Sequence, residues 1–398
     1  MDAKQVMDTD KQHYMPVFAR YPLVLTHGEG PYVYDANGKK YLDFLAGIAV
    51  NIVGHANAKL VAAISEQAGK LIHVSNLYHT FPQTKLVKSL VDLSGLDRVF
   101  LANSGAEANE GAIKLARKYG KTLSADRIEI ITAENCFHGR TLATLTATAQ
   151  PKYHHGYEPL PQGFKYIPYN DLSALDKAVT DKTCAVLLEP IQGEGGVNIP
   201  DADYLEKAQQ ICHSRGALLI LDEIQTGMAR TGKMFAFQHT KAKPDIITMA
   251  KALGGGVPIG AFLATEKVAA AFAQGDHGTT FGGNALAAAA ANTILEIIAE
   301  EHLMDNAQTI GEYMAKMLSE LKVKYPETIA VVRGQGLIIG MQLNVPGKEI
   351  VNACLEQGVI INCTAGNVLR FVPPLNISKT HVDEVVAVLD GVLKKLYK

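Results

Sequence analysis

The sequence has no excess of either charge. Its 38 Lys and Arg against 40 Asp and Glu leave a formal net charge of −2, which excludes the basic footprint of a nucleic-acid binder or of a protein held on anionic lipid. It has no paired cysteines. The five present, Cys136, Cys184, Cys212, Cys354 and Cys363, are scattered. They make neither a disulfide framework nor a zinc site, and fit reduced thiols in a cytoplasm. It has no long apolar run either. Asp2, Lys4, Asp8, Asp10 and Lys11 argue against a secretory signal, and no later stretch reaches the length of a bilayer span. Repeats and low-complexity segments are absent. What remains is a 398-residue chain, 47% hydrophobic and 20% charged, an ordinary globular mix with length for two or three domains.

Two familiar phosphate-binding signatures are also missing. The nearest approach to G-x-G-x-x-G is Gly334-Gln335-Gly336-Leu337-Ile338-Ile339-Gly340, one residue too long and running into a strand pattern. A P-loop ending at Gly120-Lys121-Thr122 requires glycine where Leu115 stands.

The informative stretch runs from Ala217 to Gly256. A-L-L-I-L-D-E-I-Q-T-G and P-D-I-I-T-M-A-K-A-L-G-G-G are each an apolar run closed by a charge. This predicts two buried parallel strands with Asp222 and Lys251 at their carboxyl ends, the edge where ligands of open α/β sheets collect. A lysine there is also what a solvated loop carries, and an aspartate there also caps helices. As a pair they suit pyridoxal phosphate (PLP). A lysine in a dry pocket can form a Schiff base with an aldehyde. A fixed carboxylate keeps the pyridine nitrogen protonated, and the ring becomes an electron sink. Gln225 can donate to the phenolic oxygen.

Residues 1–20 read as an arm with little periodicity, and Pro31 to Phe44 as a hairpin turning at Asp35-Ala36-Asn37-Gly38. Helices are expected over Asn57–Gln67, with Asn57 as N-cap, and over Pro82–Leu93. After a strand at Arg98–Ala102, N-S-G-A-E-A opens an Ala/Glu-rich helix. Its start can bind a phosphate or be a plain Ser104–Glu107 capping box. A strand over Arg127–Thr132 leads to N-C-F-H-G-R-T, where Phe137 offers a flat face and Arg140 a carboxylate fork, or else a core ring and a surface charge. His154-His155 lacks partners at metal-ligand spacing and reads as a loop. A strand over Cys184–Leu188 leads to E-P-I-Q-G-E-G-G, with Glu189 and Glu194 at the same edge. Asp201–Arg215 reads as a helix and Gly260–Thr265 as a strand. H-G-T-T-F-G-G-N follows at 277–284, then helical sequence to about Leu321, broken near Leu303. Strand patterns over Ile329–Leu343 and Val359–Val372 flank a helix at Lys348–Gln357. A helix at Lys379–Leu396 closes the chain.

With these motifs in this order, the sequence resembles the class III (subgroup II) aminotransferases over nearly its whole length, above all the members that act on acetylornithine. S-G-A-E-A, F-H-G-R-T, E-P-I-Q-G-E, L-D-E-I-Q-T-G, the lysine of M-A-K-A-L-G-G-G, H-G-T-T-F-G-G-N and L-R-F-V-P-P-L carry the resemblance. It implies an α/β chain of PLP fold type I: a large domain with a mostly parallel, seven-stranded sheet and a smaller α+β domain. The expected division is an N-terminal arm and hairpin over 1–55, a large cofactor domain over 56–300 and a small domain over 301–398.

It also implies roles. Lys251 is the Schiff-base lysine and proton carrier, Asp222 partners the pyridine nitrogen, and Gln225 lies by the phenolic oxygen. Gly105 and Ala106 hold the phosphate through their amides, with Ser104 close by. Thr280 reaches that phosphate from the other subunit of a homodimer. Phe137 covers the ring, and Arg140 takes the α-carboxylate of the amine substrate with Thr279 nearby. Arg370 takes the α-carboxylate of 2-oxoglutarate, and Glu194 covers that arginine when the amine is bound. No metal, nucleic acid or membrane is implied. The implied reaction moves the δ-amine of N2-acetylornithine to 2-oxoglutarate, giving N-acetylglutamate semialdehyde and glutamate, a step of arginine biosynthesis in the cytoplasm. Succinylornithine, succinyl-diaminopimelate and ornithine are the rival donors. By the resemblance, Gly47 stands where ornithine-specific members carry tyrosine, which disfavours free ornithine. Thr279 replaces the family's usual serine.

Overall fold

The computed structural model describes residues 1–397. Among these residues fifteen strands form three sheets. In chain order they are β1 (Leu25–Glu29), β2 (Tyr32–Asp35), β3 (Lys40–Asp43), β4 (Arg98–Ala102), β5 (Glu129–Ala133), β6 (Phe164–Ile167), β7 (Thr183–Leu188), β8 (Leu218–Asp222), β9 (Ile246–Met249), β10 (Gly260–Ala264), β11 (Ile329–Gln335), β12 (Ile338–Leu343), β13 (Val359–Ile360), β14 (Asn362–Thr364) and β15 (Val368–Phe371).

The central sheet has seven strands in the order β4-β10-β9-β8-β7-β5-β6. All neighbours run parallel except β10, which is antiparallel to both β4 and β9. Every residue of β7, β8, β9 and β10 is buried, as expected of strands covered on both faces. Continuous apolar sequence produces this: Leu219, Ile220 and Leu221 are wholly enclosed, each worth about 1.5–3 kcal/mol of burial. The helix Gly105–Leu123 packs on β7, β9 and β10, and Tyr204–Ser214 packs on β8. β8 and β9 lie side by side in register, Asp222 opposite Thr248. The ends of the two key apolar runs are therefore neighbours.

The other two sheets have four strands each. β11-β12-β15-β14 is antiparallel throughout, with the helix Leu303–Lys324 against β11 and β12. β1-β2-β3 is a meander completed by β13, which pairs parallel with β3 through Val359 opposite Leu42. The hairpin turn falls where its residues predict. Asp35 Oδ1 accepts from the amides of Asn37 and Lys39.

The N-terminus differs from expectation. Ala3–His13 is a helix with no buried residue, opened by a reciprocal cap between Asp2 and Gln5. Its order comes from local capping rather than from an apolar face, so periodicity could not announce it. β1 likewise carries no apolar signal. Its five residues include none that is buried.

Candidate active site

A cavity of about 400 Å³ opens at the carboxyl ends of β8 and β9. Its lining includes Ser104, Gly105, Ala106, Phe137, Arg140, Glu194, Asp222, Gln225 and Lys251. Nine of the residues singled out from sequence therefore line one cavity.

Asp222 closes β8 and is 4% exposed. Its Oδ2 accepts from His138 Nδ1 at 2.7 Å and from Asn109 Nδ2 at 2.8 Å, and its Oδ1 accepts from the Ile224 amide at 3.0 Å. Asn109 also donates to the His138 carbonyl and accepts from Thr248 on β9. Burial alone favours a neutral His138 ring. The Cys136 sulfur and the Asp222 carboxylate beside it nevertheless push the imidazole well above its ordinary range. Neither Asn109 nor His138 was singled out from sequence. Asn109 lies within a helix with no signal of its own, while His138 sits between Phe137 and Arg140 in F-H-G-R-T, a position that is itself a signal.

Lys251 follows β9 in a short 3₁₀ turn, Lys251–Gly254, with φ of +42°. A left-handed non-glycine residue costs on the order of 1–3 kcal/mol and persists where its surroundings dictate it, often at a functional site. Burial lowers the pKa of the Lys251 amine, and Glu194 offsets this in part. Both effects bear on how readily it releases a proton.

Ser104 caps the helix Gly105–Leu123 by accepting from the Glu107 amide. Glu107 returns the bond one residue early, to the Asn103 amide and side chain. Among the described residues the first-turn amides of Gly105 and Ala106 donate to no partner, and both residues line the cavity. Free amides at a helix start make an anion site.

Phe137 stands edge-on to Tyr153, and the Arg140 guanidinium lies 3.8 Å over the Tyr153 ring. The Glu189 carboxylate, enclosed at the end of β7, accepts from the amides of Phe137 and Gly193. Burial pushes it up to about 7. This glutamate ties the loop of Phe137 to the loop of Glu194. It was placed at the right edge from sequence, without a role.

Arg370 on β15 is wholly enclosed. Its Nη1 donates to Glu194 Oε1 at 2.5 Å and to Gln225 Oε1 at 3.1 Å, and its Nε to Asn362 Oδ1 at 3.2 Å. Among the described residues its Nη2 is buried without a partner. Burial raises and Arg370 lowers the Glu194 carboxyl, and the arginine prevails, holding it below its ordinary range. Thr364 on β14 donates to the Glu194 backbone carbonyl.

Three expected residues do not line this cavity: Arg370, which meets it through Glu194 and Gln225, and Thr279 and Thr280. The Thr279 hydroxyl accepts from Asn103 Nδ2 and from the Gly282 amide, so it touches the site only through Asn103. Thr280 is exposed. Gly47 sits in a run of four left-handed residues, Ala46 to Ala49, with φ between 48° and 67°. The next residue, Val50, lines the cavity. No group of three His, Cys, Asp or Glu among the described residues could hold a metal. His154 Nε2 bonds the carbonyls of Leu145 and Thr148.

The cavity thus offers what a phosphorylated pyridine aldehyde needs: an amine, a carboxylate backed by two donors, an anion site at a helix start, and a flat side chain. A family profile described as Aminotransferase class-III matches residues 14–393.

The chain belongs to the class III aminotransferases.

It is 53% identical, over the full length of both chains, to the acetylornithine aminotransferase of Methanocaldococcus jannaschii. It is 50% identical, again over both full lengths, to that of Methanothermobacter thermautotrophicus. Among solved structures of this aminotransferase fold it resembles the ornithine aminotransferase of Toxoplasma gondii, with a TM-score of 0.94, 34% identity, and 99% of this chain and 94% of that one covered. That protein was crystallised with oxidised glutathione and carries PLP at partial occupancy at its active site. No helix among the described residues of this class III aminotransferase is long and apolar enough to cross a membrane.

Proposed function

We propose that this enzyme transfers the δ-amine of N2-acetylornithine to 2-oxoglutarate with PLP as cofactor. The carrying observation is that Lys251 and Asp222, just after β9 and at the end of its neighbour β8, line one cavity with Glu194, which is paired to the enclosed Arg370. The names of the M. jannaschii and M. thermautotrophicus relatives support the choice of donor.

When bound, PLP supplies an electron sink for the carbon that loses its proton. Lys251 Nζ takes and returns that proton, and its lowered pKa suits the task. Asp222 holds the ring N–H, with His138 and Asn109 fixing its orientation. The amides of Gly105 and Ala106 and the Ser104 hydroxyl bind the phosphate. Phe137 covers one face and Gln225 lies by the phenolic oxygen. Arg140 holds the carboxylate of acetylornithine at the far end of the site, with Thr279 near it. Arg370 receives the carboxylate of 2-oxoglutarate beside the keto group, and its unpartnered Nη2 gives it a donor to spare. Glu194 covers Arg370 while the amine substrate is bound. An Arg–carboxylate contact is worth roughly 1.5–3 kcal/mol net, enough to hold the arginine and little enough for a second carboxylate to displace it. In this reading Thr280 reaches the phosphate of a partner copy, so the working unit is a homodimer, acting in the cytoplasm in arginine biosynthesis.

Ornithine is the second donor to test, because the structural relative from T. gondii acts under that name. Gly47 favours the acylated donor by leaving its side of the site without a side chain. Turnover with acetylornithine, succinylornithine, ornithine and 4-aminobutyrate in parallel, with the visible spectrum of the purified protein, tests the proposal. A colourless protein, or a preference for free ornithine, overturns it.

A further inference from the structure

Arg230 lies outside the cavity and has no role in the reaction as described, yet it is among the most deeply enclosed side chains, 1% exposed. Its Nη1 donates to the carbonyls of Leu337, at 2.9 Å, and Pro373, at 2.6 Å. Its Nε and Nη2 have no partner among the described residues, and no carboxylate offsets the burial, which pushes the guanidinium down to about 9. An enclosed cation without a counter-ion is a poor way to fill space, since an apolar side chain of similar volume fills it without desolvating a charge. Its two carbonyl partners are therefore the informative part.

Those partners belong to one end of the substrate machinery. Pro373 is the third residue after Arg370, just beyond β15. Leu337 lies in the turn between β11 and β12, and β12 pairs with β15 so that Gly340 faces Arg370. The Leu337 amide donates back to the Arg230 carbonyl at 2.9 Å. The same turn holds Gly336, at φ +56°, where a Cβ would lie 2.6 Å from the Arg230 carbonyl oxygen and from the Thr231 carbonyl carbon. Only glycine permits this approach. Arg230 itself follows Asp222 and Gln225 in the loop after β8, and Gln225 touches Arg370 directly. The loop that begins at the cofactor's carboxylate thus grips β15 and its exit at two points: Gln225 on Arg370, and Arg230 on Pro373.

We infer that Arg230 is a positioning residue for the dicarboxylate half of the reaction: by holding the Leu337 and Pro373 carbonyls, it sets where the Arg370 guanidinium stands relative to Asp222 and Lys251. This rests on the reading of Arg370 as the 2-oxoglutarate receptor. Acetylornithine, held at Arg140, does not use that register.

The test uses PLP-loaded enzyme carrying Arg230→Met, Arg230→Lys or Arg370→Ala. KM for each substrate is measured, together with calorimetric binding of glutarate, a dicarboxylate that cannot react. Arg230→Met raises KM for 2-oxoglutarate and weakens glutarate by about tenfold, while KM for acetylornithine stays within about twofold. Arg230→Lys, which keeps a charged donor for the two carbonyls, restores most of the loss and serves if the methionine variant fails to fold. Equal shifts for both substrates, or a lowered unfolding temperature with both KM values unchanged, overturn the inference and leave Arg230 a structural residue. If Arg370→Ala itself leaves the 2-oxoglutarate KM unchanged, the receptor reading fails and this inference with it. If only the Arg230 variants are silent, the receptor reading stands and the inference alone is lost.

Discussion

Asp222 and Glu194 are both carboxylates held by a basic side chain, and they are held in different ways. Asp222 is 4% exposed and its partners, His138 and Asn109, are fully enclosed. Its donors come from the helix Gly105–Leu123, the loop at His138 and the residue after Glu223, all fixed by further bonds or burial. Glu194 sits on a loop after β7 with its side chain 29% exposed, while its partner Arg370 is completely enclosed. In the fixed pair both members are buried. In the exchangeable pair only the arginine is, anchored by Asn362 and Gln225, and the carboxylate is the member with somewhere to go. The contrast teaches how one pocket can keep a constant charge at its floor and a variable one at its rim: enclosure is assigned residue by residue, not to the site as a whole.

Breaking the chemistry that both pairs serve has the largest expected effect. Lys251→Ala should lower turnover by about 10²–10⁴-fold or more while the protein folds and still binds PLP. Retention of even about a tenth of the activity in steady-state assays would remove this lysine from the mechanism.

The fixed pair comes next. Asp222→Asn should slow δ-proton removal on the order of 10²-fold, the scale of losing one partner of developing charge. Stopped-flow spectroscopy with acetylornithine measures it, and an unchanged rate would mean the floor carboxylate is not coupled to the ring. His138→Phe tests whether that charge needs its support. Losing one bond to a charged group, about 1.5–3 kcal/mol, should weaken PLP retention by roughly ten- to a hundredfold, read by equilibrium dialysis of the cofactor.

The exchangeable pair should respond more mildly and selectively. Glu194→Ala should speed the half-reaction with glutamate relative to that with acetylornithine by roughly tenfold, about 1.4 kcal/mol of lost masking. Single-turnover measurements with each donor decide it, and equal changes would mean Glu194 is no gate.

The smallest effect is on pH dependence. The Glu194 carboxyl is held below its ordinary range, so the unfolded chain binds its proton first as pH falls. The stabilisation is complete above the ordinary carboxylate range and is lost as pH falls through the lower native value. Glu194→Gln should therefore unfold at a lower temperature than the parent at neutral pH, with the gap closing on acidification. A gap independent of pH, in melting curves across that range, would point to packing rather than charge.

Much of this was legible in the sequence because strand ends carry their own signal. The runs L-L-I-L before Asp222 and I-I-T-M before Lys251 announce buried strands, and burial makes a terminal charge conspicuous. The helix Lys379–Leu396 was readable to the residue. Asn109 was not, because its three partners come from β8, from β9 and from the loop at His138, a convergence that exists only in three dimensions. The helix Ala3–His13 escaped because a cap of two side chains leaves no periodic trace. Arg230 escaped because nothing in G-M-A-R-T-G distinguishes a buried arginine from an exposed one.

The parallel pairing of β13 with β3 has a consequence for how the protein is made. The hairpin of residues 25–43 is synthesised early, yet the strand that completes its sheet leaves the ribosome more than three hundred residues later. At about 5–20 residues per second, the open edge of β3 waits roughly 15–60 s for Val359 and Ile360. β3 is short, only Lys40–Asp43, and short strands offer little to a stray partner. The hairpin can form from its own turn during that interval, but its place in the molecule is settled only when translation is nearly done. Truncation before residue 359 would therefore leave the first-made part of the chain without its last contact.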